Sequence, residues 1–428
     1  MEFYLASPSV PVPREVHLVP GDKSITHRAL LFAALAHGVS AIRQPLVSLD
    51  TRSTARVLRQ LGTPVSALRH DATTVVRGGG FRPGSGQSLN CGNSGTTARL
   101  LLGMLAGRPV SARLTGDRSL RGRPMRRITQ PLQRMGAQFP GDPATLPLGI
   151  IGGGLSALEW QSPVASAQVK GALLLAGVTG GVAVTVSEPV RSRDHTERML
   201  ASFGYTIVAD QLHVRMEPTG LVVPFDLTVP GDPSSAAFLV GAALLGRQGT
   251  VRIAGVGLNP TRTGFLRVLE RMGAQVTQHD PQEMAGEPTG TLVATAGGLQ
   301  GATIDPTEVP SLIDEVPILA CLAARATGES RFAGLGELRV KESDRLALIG
   351  ENLRAVGVSA EVSGDTLTVV GTDRPLAGRV RTDGDHRIAM AFSVLGLGQA
   401  VEIDDPDCAD VSFPGFAAAL NNIARDVA

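Results

Sequence analysis

The sequence predicts an α/β protein of two similar globular domains, each made of three copies of one unit, with buried helices surrounded by sheets. Three observations carry this. Val19–Ile42, VPGDKSITHRALLFAALAHGVSAI, matches Val229–Ile253, VPGDPSSAAFLVGAALLGRQGTVRI, 210 positions later, close to half the chain. Within each half, polar and often Gly-rich turns lead three times into short helices rich in Ala, Leu and Gly. A second, amphipathic helix follows each of these. Five of the six end alike: LRQLGTPV, LQRMGAQF, LASFGYTI, LERMGAQV and LRAVGVSA.

The copies run to roughly 70 residues each. Their first helices begin near Lys23, at Gly95, at Ser166, at Ser234, at Asp314 and at His386. These helices are apolar nearly all round, so they should be buried; the second helices have a polar face and should lie outside. Strands follow most first helices, at SAIRQ, VSARLTG, VAVTVSE, TVRIAG, SRFAG and VEIDD. The sixth copy closes the chain at ALNNIARDVA without the repeated ending. The expected domains are residues 15–224 and 225–428, joined by crossings before Val19 and before Val229. Residues 1–14, with a short strand over Glu2 to Ala6, are expected to complete the second.

Composition removes whole classes. A net charge of +1 over 428 residues offers neither a nucleic-acid nor a membrane surface. Cys91, Cys321 and Cys408 form no CxxC pair, and an odd, sparse count suits a reducing compartment. No signal peptide is evident at MEFYLASPSV. The longest uncharged apolar run, Gly171 to Ser187, is broken by Thr179-Gly180-Gly181, and so predicts helix, turn and strand rather than a membrane span. A cytoplasmic protein is expected. GGGFRPGSG, Gly78 to Gly86, lacks the GK[ST] ending of a phosphate loop and predicts a turn. No histidine spacing suggests a metal site.

The chemistry-bearing residues sit at the starts of the first helices. Asp22 occupies a cap position, and Lys23, Ser24, His27 and Arg28 fill the first turns behind it. Cations where the helix dipole is already positive suit a bound phosphate or carboxylate; charges turned to water would be the plainer alternative. If the buried helices of each domain run alike, their N-termini open onto one face, and two such faces meeting make an anion-binding cleft. Asn93-Ser94-Gly95-Thr96-Thr97 with Arg99 is a second helix entry. In Arg121-Gly122-Arg123-Pro124 with Arg126 and Arg127, only Arg123, fixed before proline, is expected to face a ligand. Ser166-Ala167-Gln168 with Lys170, Arg191-Ser192-Arg193-Asp194-His195, Asp314 and Asp385-His386-Arg387 mark further helix starts. In Lys341-Glu342-Ser343-Asp344-Arg345 the two cations lie four apart, which could equally be a surface ion-pair ladder.

Five of these stretches in order, PGDKSITHRALL, LNCGNSGTTARLLLG, SAQVKGALLLAG, RVKESDRL and GDHRIAMAF, resemble the enolpyruvyl transferases, and most closely the members that act on shikimate 3-phosphate. The resemblance spans Val16 to Phe416. It implies two globules, each of three βαβαββ units, closing on substrates bound between them. It also implies the reaction: the enolpyruvyl group of phosphoenolpyruvate passes to the 5-hydroxyl of shikimate 3-phosphate and phosphate leaves, a step of aromatic amino acid biosynthesis inhibited by glyphosate. No metal or organic cofactor is implied, and a monomer is expected.

By resemblance, Lys23, Ser24, Arg28, Ser166, Gln168, Arg193, Asp314 and Lys341 hold shikimate 3-phosphate. Lys23, Gly95, Arg123, Gln168, Arg345 and Arg387 hold phosphoenolpyruvate. Two multiply charged anions side by side need such a set of cations and donors. Lys23, Asp314 and Glu342 are the catalytic candidates: Glu342 for the methylene proton, Asp314 for the hydroxyl proton, with Lys23 sharing the acid role. Ala167, Glu337 and Val411 depart from residues common in relatives, respectively a serine, an asparagine contact and a lysine reaching phosphoenolpyruvate. A sister enzyme acting on a UDP-amino sugar is the nearest rival. It carries Asn after the first Lys and a reactive Cys in a loop; here Ser24 follows Lys23 and Leu114 to Pro124 has no Cys. A non-catalytic anion binder is the other alternative.

Overall fold

The computed structural model describes residues 16–70, 72–79, 86–284 and 286–427. The expected strand over Glu2 to Ala6 and most of the Gly78–Gly86 turn lie outside these.

Among the described residues thirteen α-helices follow one another: α1 Lys23–Leu35, α2 Leu49–Gln60, α3 Gly95–Ala106, α4 Arg118–Gly122, α5 Arg126–Met135, α6 Ala167–Gly180, α7 His195–Ser202, α8 Pro233–Leu244, α9 Gly264–Arg271, α10 Val316–Ala323, α11 Arg345–Ala355, α12 His386–Leu395 and α13 Phe416–Asp426. The six first helices of the repeat are α1, α3, α6, α8, α10 and α12. Every residue of α8 and α10 is buried, and so are nearly all those of α1 and α12. They form two apolar cores, one drawn from Ile25 to Val229 and one from Ala236 to Val427. Small residues let the helices approach backbone to backbone. A Cβ added at Gly103 in α3 would lie 1.9 Å from the Ala172 carbonyl oxygen of α6. The abundance of Gly and Ala follows from this contact.

The repeated helix ending has a single backbone cause. Gly62, Gly136, Gly204, Gly273 and Gly357 all have positive φ, between 74° and 119°. Each ends an outer helix in the left-handed region, where glycine meets no Cβ penalty. In α2, for example, the Gly62 amide turns back to the Arg59 carbonyl.

Among the described residues six sheets surround the cores, three to each half. The halves exchange their leading strands. Val16–Leu18 pairs in parallel with Thr250–Gly257 of the second half, and Asp226–Thr228 pairs in parallel with Gly38–Arg43 of the first. The chain therefore passes from one half to the other after Leu18 and after Thr228. The strands pair where their apolar edges are completed, and no composition break marks that point.

The two crossings meet as near mirror images. The Asp22 amide donates to the Pro230 carbonyl at 2.7 Å and the Asp232 amide to the Pro20 carbonyl at 2.8 Å. Asp22 and Asp232 also cap α1 and α8. Arg262, buried between them, reaches Asp22 Oδ2 at 2.9 Å and Asp232 Oδ1 at 3.1 Å. One guanidinium thus neutralises both caps, and the sequence offered no sign of it.

Candidate active site

A cavity of about 360 Å³ lies between the halves. All six buried helices reach it with their first turns or caps: Lys23 and Ser24 of α1, Thr96 of α3, Ser166 to Gln168 at α6, the Asp232 cap of α8, Asp314 before α10, and His386 and Arg387 of α12. Their aligned N-termini give the cavity a positive field before any side chain is counted. Side-chain oxygens of Asp22, Ser94, Ser166, Asp232 and Asp385 accept the first free amides of five of them.

Of the expected residues, Lys23, Ser24, Arg123, Ser166, Gln168, Arg193, Asp314, Lys341, Glu342 and Arg387 line the cavity. Arg28, Gly95 and Arg345 stand behind its wall. Arg28 donates to Thr196 Oγ1 at 2.8 Å and to the Ser24 carbonyl at 3.0 Å, fastening α1 to α7. Gly95 is the first residue of α3; a Cβ there would meet Arg123 Nη1 at 3.2 Å and Arg99 Nη1 at 3.3 Å.

Arg345 is the pivot of the acidic side. Its side chain is 1% exposed, which rules out a surface ladder. It donates to Asp385 Oδ2 at 2.9 Å and Glu342 Oε2 at 2.7 Å, and lies 3.6 Å from Asp314 Oδ1. One guanidinium therefore sets the spacing of three carboxylates. Lys341 precedes the helix, since α11 begins at Arg345, so the two cations share no helix face. They converge instead on Asp314, with Lys341 Nζ at 3.8 Å.

Asp314 also meets Arg193 Nη2 at 2.6 Å and Arg387 Nη2 at 3.7 Å. Desolvation pushes its carboxyl up, but Arg387, Arg193, Lys341 and Arg345 together hold it well below the usual range. Glu342 behaves alike: desolvation opposes ionisation, and Arg345, Arg123 and Lys23 override it. Both therefore stand as carboxylates.

Several partners were not legible in advance. Lys23 is paired with Asp50, whose place in the first turn of α2 resembles routine dipole compensation. Arg99 donates to Gln168 Oε1. Arg127 was expected to be a solvated arginine; it lines the cavity and meets Glu337 Oε2 at 3.1 Å across the cleft. Arg193 to Asp314 is another such bridge, and Ser119 Oγ donates to the Glu342 carbonyl at 3.3 Å. Helix-start cations on both faces imply like charges facing one another across the cleft. Opposite charges meet there, because the second half supplies Asp314, Glu337 and Glu342. Val411 ends a 3-10 turn, Pro406–Val411, and is not among the lining residues. Cys91 is fully buried, and burial pushes its thiol up to about 12, which removes it as a nucleophile.

The architecture is that of solved enolpyruvyl transferases. NikO from Streptomyces tendae superposes with a TM-score of 0.73 over 96% of this chain and 94% of its own at 17% identity, a likeness of fold alone. An EPSP synthase from Acinetobacter baumannii superposes at 0.84, with 36% identity over 96% of this chain and 95% of its own. A 3-phosphoshikimate 1-carboxyvinyltransferase of Thermus thermophilus is 48% identical over 421 residues, covering 97% of each chain. One of Desulforudis audaxviator is 44% identical over 411 residues, 95% of this chain and 96% of its own. The family model for EPSP synthase (3-phosphoshikimate 1-carboxyvinyltransferase) matches residues 7–420. The chain belongs to the EPSP synthase family.

Proposed function

We propose that the cleft joins phosphoenolpyruvate to shikimate 3-phosphate, transferring the enolpyruvyl group to the 5-hydroxyl and releasing phosphate. The observation that carries this is the convergence of six helix N-termini, Lys23, Arg123, Lys341 and Arg387 on one cavity that also holds two ionised carboxylates. Shikimate 3-phosphate takes the side of Ser24, Ser166, Gln168, Arg193 and Lys341, with Arg28 behind Ser24. Phosphoenolpyruvate takes the side of Arg123, Arg387 and the Gly95 turn, with Arg345 behind. Lys23 lies between them.

In the addition step the 5-hydroxyl oxygen bonds to C2 of phosphoenolpyruvate. Its proton goes to Asp314, and a proton passes from Glu342 to C3. In the elimination step the C2–O bond to phosphate breaks, and Glu342 takes a proton back from the new methyl group. Glu342 must first be protonated. Two anionic substrates offset the arginines that hold it ionised, so binding raises its proton affinity where the chemistry needs it. Expelling water as the cleft fills strengthens each of these interactions.

The two lobes, about 15–224 and 225–428 with one strand exchanged each way, act as a monomer in the cytoplasm. No described helix is long and apolar enough to cross a membrane. The test is phosphate release from phosphoenolpyruvate with shikimate 3-phosphate, with a UDP-amino sugar, and with neither. Release with shikimate 3-phosphate alone is expected; release with the amino sugar in its place overturns the substrate.

A further inference from the structure

Lys170 stands one turn into α6, outside the residues that line the cavity, and the reaction gives it no task. Its side chain is 2% exposed. Its Nζ lies 2.9 Å from Glu188 Oε2 and 2.8 Å from Glu197 Oε1, and it donates to the Ser192 carbonyl at 3.4 Å. Three charges buried together are unfavourable unless each is satisfied and the arrangement serves a geometry.

The geometry is at Glu188. Its Oε1 accepts the Ser166 amide at 2.8 Å. Its Oε2 accepts the Ser192 hydroxyl at 2.7 Å and the Ser192 amide at 3.4 Å. Ser166 caps α6, and Ser192 precedes Arg193; both serines and Arg193 line the cavity. One carboxylate thus clamps the two turns that form one wall. An ionised carboxylate accepts on both oxygens and donates nothing, so it can serve both turns at once. The Ser166 hydroxyl meets the Val169 amide only at 3.5 Å, a contact loose enough for the hydroxyl to turn toward an incoming phosphate while Glu188 keeps the backbone in place.

We infer that Glu188, anchored by Lys170, is a positioning residue that holds Ser166 and the Ser192–Arg193 turn at the spacing a phosphate monoester requires. This rests on the reading of Ser166 and Arg193 as contacts to the phosphate of shikimate 3-phosphate. A clamp on a binding contact acts on affinity for one substrate, whereas general support of the fold acts on everything.

The test compares Glu188→Gln, Glu188→Asp and Ser166→Ala in the full chain, reading kcat, the KM of each substrate and the melting temperature. Glu188→Gln places a donor where two donors converge. Glu188→Asp keeps the charge beside Lys170 but is one methylene short of the Ser166 amide. Each should raise the KM of shikimate 3-phosphate about tenfold or more, with kcat and the KM of phosphoenolpyruvate moving less than about threefold. Normal kinetics in Glu188→Asp would reduce Glu188 to charge balance and overturn the clamp. Equal damage to both substrates, or to kcat, would do the same by showing general support. If Glu188→Gln does not fold, the aspartate variant decides. An unchanged KM for shikimate 3-phosphate in Ser166→Ala would instead overturn the phosphate site itself, and the clamp with it.

Discussion

Gly95→Ala is the sharpest probe of the phosphoenolpyruvate side. The added methyl would sit 3.2 Å from Arg123 Nη1 and 3.3 Å from Arg99 Nη1, where ordinary contact is 3.4–4 Å. Both guanidiniums are held in place. Arg123 is tied to Asn93 Oδ1 at 2.6 Å and Ser119 Oγ at 3.3 Å, and the half-buried Arg99 donates to Gln168 Oε1. Overpacking of this kind costs about 1–3 kcal/mol. At about 1.4 kcal/mol per decade, that is roughly 5- to 150-fold in affinity for a ligand that uses the displaced arginine. Glyphosate, the inhibitor of this family, takes the phosphoenolpyruvate site and is slightly longer, so it has less room to yield. The parent should be inhibited competitively with phosphoenolpyruvate. Potency should be moderate, since Val411 supplies no charge. In Gly95→Ala the inhibition constant should rise about 10- to 100-fold and the KM of phosphoenolpyruvate by less. Steady-state inhibition of both proteins settles it. A parent that resists millimolar inhibitor, or a variant inhibited equally well, refutes the steric reasoning.

Other consequences are as direct. Glu342→Gln should lower kcat by roughly 10²–10⁴ while both substrates still bind; near-normal turnover would remove Glu342 from the proton path. Cys91→Ser should keep most activity, and complete loss in a folded variant would revive a covalent role. The cross-cleft pairs Arg127–Glu337 and Arg193–Asp314 predict that salt loosens the empty cleft. The radius of gyration should grow with ionic strength and shrink again with both ligands; scattering curves indifferent to salt and ligand would count against such closure. Burial depresses His27 to about 3 and His386 to about 4, so both are neutral when folded and take up protons near 6.5 when unfolded. Stability is therefore fully present above about pH 6.5 and falls below it by up to about 1.4 kcal/mol per pH unit for each histidine, until the folded values are reached. Denaturant unfolding between pH 7 and 5 reads this slope, and His27→Gln should halve it; a flat profile in the parent contradicts the assignment.

What the sequence disclosed, and what it hid, divides along physical lines. The six-fold repeat was legible because burial on all sides and a glycine in the left-handed region leave their mark residue by residue. Helix starts such as those at Lys23 and Arg387 were legible because cations at a positive dipole demand an explanation. Pairings made only by tertiary approach were not. Asp50 sits where any helix accepts an acid, and Arg127 looked like one more solvated arginine. Arg262 lies 30 residues from the nearer aspartate that it neutralises. The cross-cleft attraction was missed because net charge says nothing about which half carries which sign.

Proton traffic at C3 is the centre of the account, and deuterium tests it most directly. With both substrates in D2O, an exchangeable Glu342 places deuterium on C3 as it becomes a methyl group, and elimination from that methyl leaves part of the label behind. The account predicts deuterium in the vinyl methylene of the product, its appearance depending on shikimate 3-phosphate and collapsing in Glu342→Gln along with turnover. Product formed at the normal rate with no deuterium at C3 would show that the carbon never became a methyl group, and would contradict the mechanism outright.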